Sequence, residues 1–281
     1  ANPPFNVDKV KSESAFSAGR LPFGLPGVNA KTKEVGNANY LWINYFYAYL
    51  NERGRAGFVM ASSATDSSNK DRDIREQLVK TGHVDVMVSV GNNFFYTLSL
   101  PCSLWFFDKA KREENRDKVL FIDARKYYTV VDRTLNEWTE WQLLNLQAIV
   151  HLYRGETDKY RALLGKYDQA ISEAVSSVSE EALSFVSFLD DETAGQFNGS
   201  LAWLGRQWNS YDELSKNLNG QIEQTKSCVK LAEERLKKRE LKSMRLAGDK
   251  FCNVLEEILT IIGEHEWLTG KFGKGEYNDI A

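Results

Sequence analysis

Cysteine is scarce in this 281-residue chain: Cys102, Cys228 and Cys252 are its three, odd in number, far apart and without a CxxC pair. That spacing excludes a disulfide framework and a cysteine-based zinc site. It fits reduced, packed thiols of an intracellular protein, so a cytoplasmic location is expected. Histidine is equally sparse. His83, His151 and His265 stand alone, with no HExxH and no ligand spacing, so no metal centre is expected. No nucleophile elbow supports a serine triad. There is no run of 18 apolar residues to form a membrane span, and no basic start with an apolar core to form a signal peptide. No G-x-G-x-x-G or other glycine-rich loop is present to cradle a phosphate or nucleoside.

An excess of positive charge is also missing. Thirty-six basic residues face 39 acidic ones, for a net charge of −3. A chain that grips DNA unaided needs a basic face, so a nucleic-acid enzyme of this composition is expected to borrow charge from a partner or another segment. What is there is a globular composition, 42% hydrophobic and 27% charged, long enough for two domains. The chain opens on Ala1 and a polar-proline turn in place of an initiator Met, which leads to the expectation that it is the rear part of a longer protein.

Proline and glycine divide the chain. Residues 1–36 hold all but one of the five prolines, with glycines at 19, 24, 27 and 36, and read as loop. Asn39 is the expected N-cap of a helix over residues 40–53, with Leu41, Tyr45, Phe46, Ala48 and Tyr49 at helical spacing. Residues 56–61 read as a buried strand. Ile74, Leu78 and Val79 mark a short helix stopped by Gly82. Residues 84–90 read as the next strand, followed by a loop dense in aromatics, Asn92 to Thr97. Residues 103–107 and 119–123 are two more strands, joined by a loop alone and so expected to pair antiparallel. Helix–strand–helix–strand–strand–strand is an α/β order resembling half a sheet. Beyond residue 135 prolines and strand signals vanish. Helices are expected around Trp138 to Leu152 and over residues 156–190 and 210–262, the last with Leu214, Leu218, Ile222 and Thr225 on one face.

Asn2-Pro3-Pro4-Phe5 carries the chemistry. An exocyclic amine of a flipped-out nucleobase needs two acceptors for its two hydrogens. The Asn2 side-chain oxygen and the Pro3 carbonyl can supply them, which draws the nitrogen toward a more nucleophilic geometry. The prolines stiffen the turn and remove competing N–H donors. Phe5 can stack on the base. The competing reading is an ordinary surface turn. The basic cluster Arg235, Lys237, Lys238, Arg239, Lys242 and Arg245, interleaved with Glu233, Glu234 and Glu240, reads better as a solvated helix face than as a DNA contact.

In order and spacing, six stretches resemble the modification subunit of type I restriction-modification systems, in the N6-adenine DNA methyltransferase family. They are residues 1–6, 36–46 (GNANYLWINYF), 54–61 (GRAGFVMA), 73–79 (DIREQLV), 92–101 (NNFFYTLSLP) and 118–125 (KVLFIDAR). Ser62-Ser63-Ala64 departs from the Pro- or Asn-containing turn many relatives carry there. The resemblance implies an α/β fold, the C-terminal half of a Rossmann-like class I methyltransferase sheet over residues 1–135, followed by an all-α helical tail over 136–281 used for subunit docking. It aligns Asn2, Pro3 and Phe5 with the adenine-holding motif, with Pro4 shaping the turn, and Phe94 or Phe95 with an aromatic that packs on the flipped base; core packing is the alternative for that pair. It implies S-adenosylmethionine as methyl donor, bound by residues upstream of Asn2 and by none here, so that the chain alone is not expected to be active. The implied partners are DNA, a specificity subunit, a restriction subunit and a second modification subunit. The alternative is a truncated or split subunit that serves only as an assembly module.

Overall fold

The computed structural model describes residues 1–97, 99–206 and 208–272; Leu98, Gln207 and residues 273–281 lie outside the described residues. The chain forms two compact units, residues 1–156 and a second beginning at Thr157.

The first unit is three-layered. Residues 1–36 are not all loop: β1 (Val10–Lys11) pairs antiparallel with β2 (Glu34–Val35), with α1 (Ser12–Ser17) between them. Then come α2 (Asn39–Ala48), β3 (Arg55–Ala61), α3 (Asn69–Lys80), β4 (Val84–Val90), β5 (Cys102–Asp108) and β6 (Leu120–Asp123). The four strands β3 to β6 form a sheet of order β3-β5-β4-β6. β5 runs antiparallel to both β3 and β4, so those two run in the same direction. The expected antiparallel pairing of the last two strands does not occur. β5 inserts between β3 and β4, and β6 lands on the outer side of β4, parallel to it. A loop alone can reach that edge because residues 109–119 carry the chain past β4, anchored by Lys111 Nζ donating to the carbonyls of Val84 and Lys118.

Alternation along the strands sorts side chains to the two faces. Phe58, Met60, Met87, Trp105 and Phe107 meet α2 and α3 through Tyr40, Ile43, Ile74 and Leu78. Val86, Val88, Val90, Ile122 and the flanking Val59, Leu104 and Phe106 face the other way. That second face is covered by α4 (Glu140–Tyr153), whose Leu146, Ile149, Val150 and Tyr153 pack on it. The composition change at residue 135 thus precedes the boundary of the compact unit, because α4 buries its apolar face on the sheet. Each fully buried Phe, Ile, Leu or Met here contributes on the order of 1.5–3 kcal/mol. A hairpin, β7 (Thr129–Asp132) and β8 (Leu135–Glu137), precedes α4, whose start is a capping box of Thr139 and Gln142.

The second unit is helical: α5 (Thr157–Val186), α6 (Asp191–Ser200), α7 (Tyr211–Ala232) and α8 (Lys238–Phe272). α8 packs on both α5 and α7. The helix expected over 210–262 is therefore two. The turn at Glu233 to Lys237 lets α8 fold back, so the stripe Leu214, Leu218, Ile222, Thr225 gains a partner it would lack as one straight rod. Phe197 joins the helices, its ring 5.2 Å from Phe185 and 5.8 Å from Phe251. All three cysteines are buried and unpaired. Among the described residues no helix is long and apolar enough to cross a membrane.

Two histidines couple stability to pH. His83 sits against Tyr47, Nδ1 to hydroxyl 2.6 Å. Burial, then Lys109, Arg116 and Lys111, holds its pKa below the ordinary 6.5 despite Asp108. In the second unit His265 lies edge-on to Tyr167 and Tyr211, and burial lowers its pKa against the opposing pull of Asp168 and Glu266. Both favour the neutral ring in the folded chain. The unfolded chain then binds more protons below about pH 6.5, so stability is full above that pH and lost as the pH falls through the folded values. Denaturation midpoints should fall between pH 7.5 and 5.5, and His83→Gln should flatten that dependence for the first unit. A midpoint that rises on acidification contradicts this account.

Candidate active site

The Asn-Pro-Pro-Phe turn leaves from a sheet edge. The Ala1 nitrogen donates to the Gly57 carbonyl at 2.7 Å, and the Val59 N–H donates to the Ala1 carbonyl at 2.9 Å. This is one rung of a parallel ladder on the free side of β3, opposite Phe58. Asn2 to Phe5 therefore emerge toward the C-terminal end of β3. β4 runs the same way, so its aromatic loop emerges at that end too. Ligands of open α/β sheets bind outside the carboxyl ends of parallel strands.

The two segments meet there. The Phe5 ring lies 6.0 Å from that of Phe95, at an interplanar angle of 79°. Phe94 turns away: its ring is 4.8 Å from Trp138 and 5.9 Å from Tyr128. Of the adjacent aromatics, Phe95 faces the turn and Phe94 ties the loop to the β7–β8 hairpin. Both are half-buried, and the packing alternative describes Phe94 better than Phe95. Asn136 on β8 fixes the start of the loop, its N–H donating to the Asn93 carbonyl at 2.7 Å and its Nδ2 to the Asn92 carbonyl at 3.0 Å. Ser99 donates to the Asn93 side chain across the loop.

Asn2 is exposed, and among the described residues its carboxamide has no hydrogen-bond partner. Behind it the turn is tied down by α2 and the residues that lead into it. Trp42 Nε1–H donates to the Pro4 carbonyl at 3.1 Å. Asn39 Oδ1 accepts the Asn6 N–H at 2.9 Å. Asn39 Nδ2 and Asn37 Nδ2 both donate to Asn6 Oδ1 at 2.9 Å. The Ala38 N–H donates to the Val7 carbonyl at 2.8 Å. Asn39 is not the helix N-cap: Ala38 is, and Asn39 is the first helical residue, its buried side chain turned to Asn6. Sequence reading missed these positioning residues. The available signal was two asparagines and a tryptophan in GNANYLW, following an Asn-Pro-Pro-Phe-Asn turn.

A polar cavity of about 510 Å³ lies beside Tyr128, lined by Asn92, Asn93, Arg125, Lys126 and Asn136 among others. Its charge is muted, because Asp123 holds Arg125 with contacts of 2.8 and 2.6 Å; those contacts draw the carboxyl down to about 2. The basic cluster of the second unit is partly neutralised as well, Arg235 by Asp190 and Arg245 by Glu233, each at 2.5 Å. The remaining histidine, His151, bonds Glu156 at 2.6 Å.

The chain is 38% identical over 145 residues to the type I restriction enzyme MjaIX methylase subunit of Methanocaldococcus jannaschii, covering 50% of this chain and 25% of that one. It is 27% identical over 155 residues to the type I restriction enzyme HindI methylase subunit of Haemophilus influenzae, covering 55% and 33%. A solved structure of a type I restriction-modification system methyltransferase subunit from Streptococcus thermophilus aligns at 22% identity and a TM-score of 0.45, over 53% of this chain and 30% of that one. The chain thus matches a quarter to a third of the length of these curated relatives. The profile of the N-6 DNA Methylase family matches residues 1–182, which take in the whole sheet unit with the Asn2–Phe5 turn and the aromatic loop; the chain belongs to that family.

Proposed function

We propose that this chain is part of a DNA adenine-N6 methyltransferase of the type I restriction-modification kind, and that it supplies the side of the active site that holds the target base. The observation that carries this reading is the meeting of Phe5 with Phe95 at the strand ends, beside an Asn2 carboxamide that faces solvent without a partner. A flipped adenine there presents its amino group to Asn2 Oδ1 and the Pro3 carbonyl. Phe5 and Phe95, in edge-to-face contact with each other, form an apolar wall against which its ring packs. The two acceptors orient the amine lone pair away from the ring plane, and the apolar walls exclude water from it.

The donor that the family implies is S-adenosylmethionine. The described residues do not fit as its site. The main sheet's strand-to-helix turn, from β3 to α3 through residues 62–68, contains no glycine. The positive-φ glycines, at 19, 24, 82 and 155, follow helices or sit in the leading loop. No step through the donor is therefore assigned to these residues. The helical unit suits subunit docking, with exposed Leu231 and Leu246 flanking the basic cluster. The proposed partners are DNA, a specificity subunit, a restriction subunit and a second methylase subunit, and the proposed location is the cytoplasm.

The two phenylalanines separate the functions of the loop. In the native enzyme, Phe95→Ala is expected to lower kcat/KM for DNA about 5- to 150-fold, the equivalent of losing one base-stacking contact. It should also weaken the fluorescence rise of 2-aminopurine placed at the target base. Phe94→Ala is expected to act mainly on thermal stability, through Trp138. Equal activity losses with unchanged stability in both variants would remove the assigned asymmetry.

A further inference from the structure

We propose that Trp42 and the asparagine trio Asn6, Asn37 and Asn39 are positioning residues that set the direction of the Pro3 carbonyl; this rests on the base-holding role given to the turn. The argument is geometric. The Pro3 carbonyl belongs to the peptide plane joining Pro3 to Pro4. The Pro4 ring locks φ of that residue, so one torsion, ψ of Pro4, relates the Pro3 carbonyl to the next carbonyl along. Trp42 Nε1–H holds that next carbonyl at 3.1 Å. Holding the Pro4 oxygen therefore leaves the Pro3 oxygen one torsion, which the anchors at Ala1 and Asn6 restrict from either side, and its lone pairs stay open for substrate.

The far side of the turn is held by a second device. Asn6 has φ of +54°, the left-handed region that side-chain-bearing residues rarely adopt. The Asn6 N–H and side-chain oxygen are answered by Asn39 at the start of α2 and by Asn37 just before it. The Asn6 N–H goes to Asn39 Oδ1, and Asn6 Oδ1 receives both Asn39 Nδ2 and Asn37 Nδ2. Asn39 is 3% exposed, and its own N–H is held by Asn37 Oδ1 at 2.9 Å, so the clamp is rigid. The reversal at Asn6 directs the chain onto Val7, whose carbonyl meets the Ala38 N–H. Phe5 is thereby fixed between two anchored residues, facing Phe95. An acceptor held in place before substrate arrives needs no reorganisation during reaction, and small misplacement of such a group is costly in rate.

The test is made in the native enzyme with all its subunits. Trp42→Phe keeps a ring beside Tyr45 and deletes the N–H. It is expected to lower kcat for adenine methylation about 10- to 100-fold, with KM for DNA unchanged and the thermal midpoint close to that of the parent. Asn6→Ala is expected to lower kcat similarly, and Asn6→Gly, which reaches positive φ freely, to retain at least roughly tenfold more activity than Asn6→Ala. Parental kcat in both Trp42→Phe and Asn6→Ala, or a rise in KM with kcat intact, overturns the positioning role. The Asn2→Ala enzyme run alongside tells the two ideas apart. If it is inactive while Trp42→Phe and Asn6→Ala are unimpaired, the positioning inference fails and the base-holding reading stands. If it methylates normally, the base-holding reading fails first.

Discussion

Asn2→Ala is expected to reduce methylation at least about 10²- to 10³-fold in kcat, the loss seen when one preorganised polar contact to a reacting group is removed. KM for DNA should stay within a few-fold, because the phosphate contacts that dominate affinity lie elsewhere. Folding should be untouched: Asn2 is exposed, and among the described residues its side chain is bonded to nothing. That combination separates a catalytic residue from a structural one. Asn2→Asp is informative beside it. A carboxylate keeps the acceptor and loses the NH2 donor, so it should retain more activity than alanine if the role is to accept an amine hydrogen. Restriction-protection assays and tritiated-methyl incorporation both read this. Normal incorporation by Asn2→Ala at parental kcat would end the base-holding account.

The largest stability effect is expected at Arg154. Its Nη2 lies 2.5 Å from Asp85 Oδ2, and the Asp85 side chain is 2% exposed against 24% for Arg154. Asp85 is the second residue of β4, and Arg154 follows α4, so this pair fastens the helix to the sheet. Arg112 adds a contact of 2.5 Å to the Arg154 carbonyl. Removing one partner of such a pair leaves a buried carboxylate uncompensated and costs about 3–5 kcal/mol. The partial exposure of Arg154 and the nearness of Lys111, whose charge feels Asp85, favour the lower end of that range. At about 2–4 °C per kcal/mol for a unit of this size, Arg154→Ala should melt roughly 6–20 °C lower. Replacing both partners with apolar residues, as in Asp85→Leu with Arg154→Met, should recover much of the loss, because the cost comes from the stranded charge. Equal destabilisation by the single and double variants argues against the pair as the fastener. Asn2 and Phe95 are not its partners, so methylation per folded molecule should change little at permissive temperature.

The unequal legibility of the site has a physical cause. Asn-Pro-Pro-Phe and the Asn92–Pro101 stretch are contiguous strings whose residue types carry their chemistry, so each can be read in isolation. The clamp is different. Asn6 and Asn39 are 33 residues apart and Trp42 is 38 from Pro4, and none of these residues has a distinctive chemistry of its own. Asn39 before an apolar helical run has the composition of a cap, yet its carboxamide turns outward from α2 to the turn. Likewise Phe94 and Phe95 are identical in type and adjacent, and only the folded course of their loop sends one to Trp138 and the other to Phe5.

Local periodicity alone determined where most strands and helices lie. β3, β4 and β5 fall where short apolar runs end at glycine, proline or charge, and α5 and α7 where apolar residues recur every three or four positions, because those patterns depend on near neighbours. The absence of a glycine-rich loop and of a basic excess was likewise written in composition. The tertiary structure decided what pairs with what. It set β5 between β3 and β4, β6 beside β4, the break between α7 and α8, the burial of Asp85 against Arg154, and the hold of α2 on the Pro4 carbonyl. Those outcomes depend on which distant backbone and polar groups can satisfy one another once water is excluded, a global condition that no window along the chain contains.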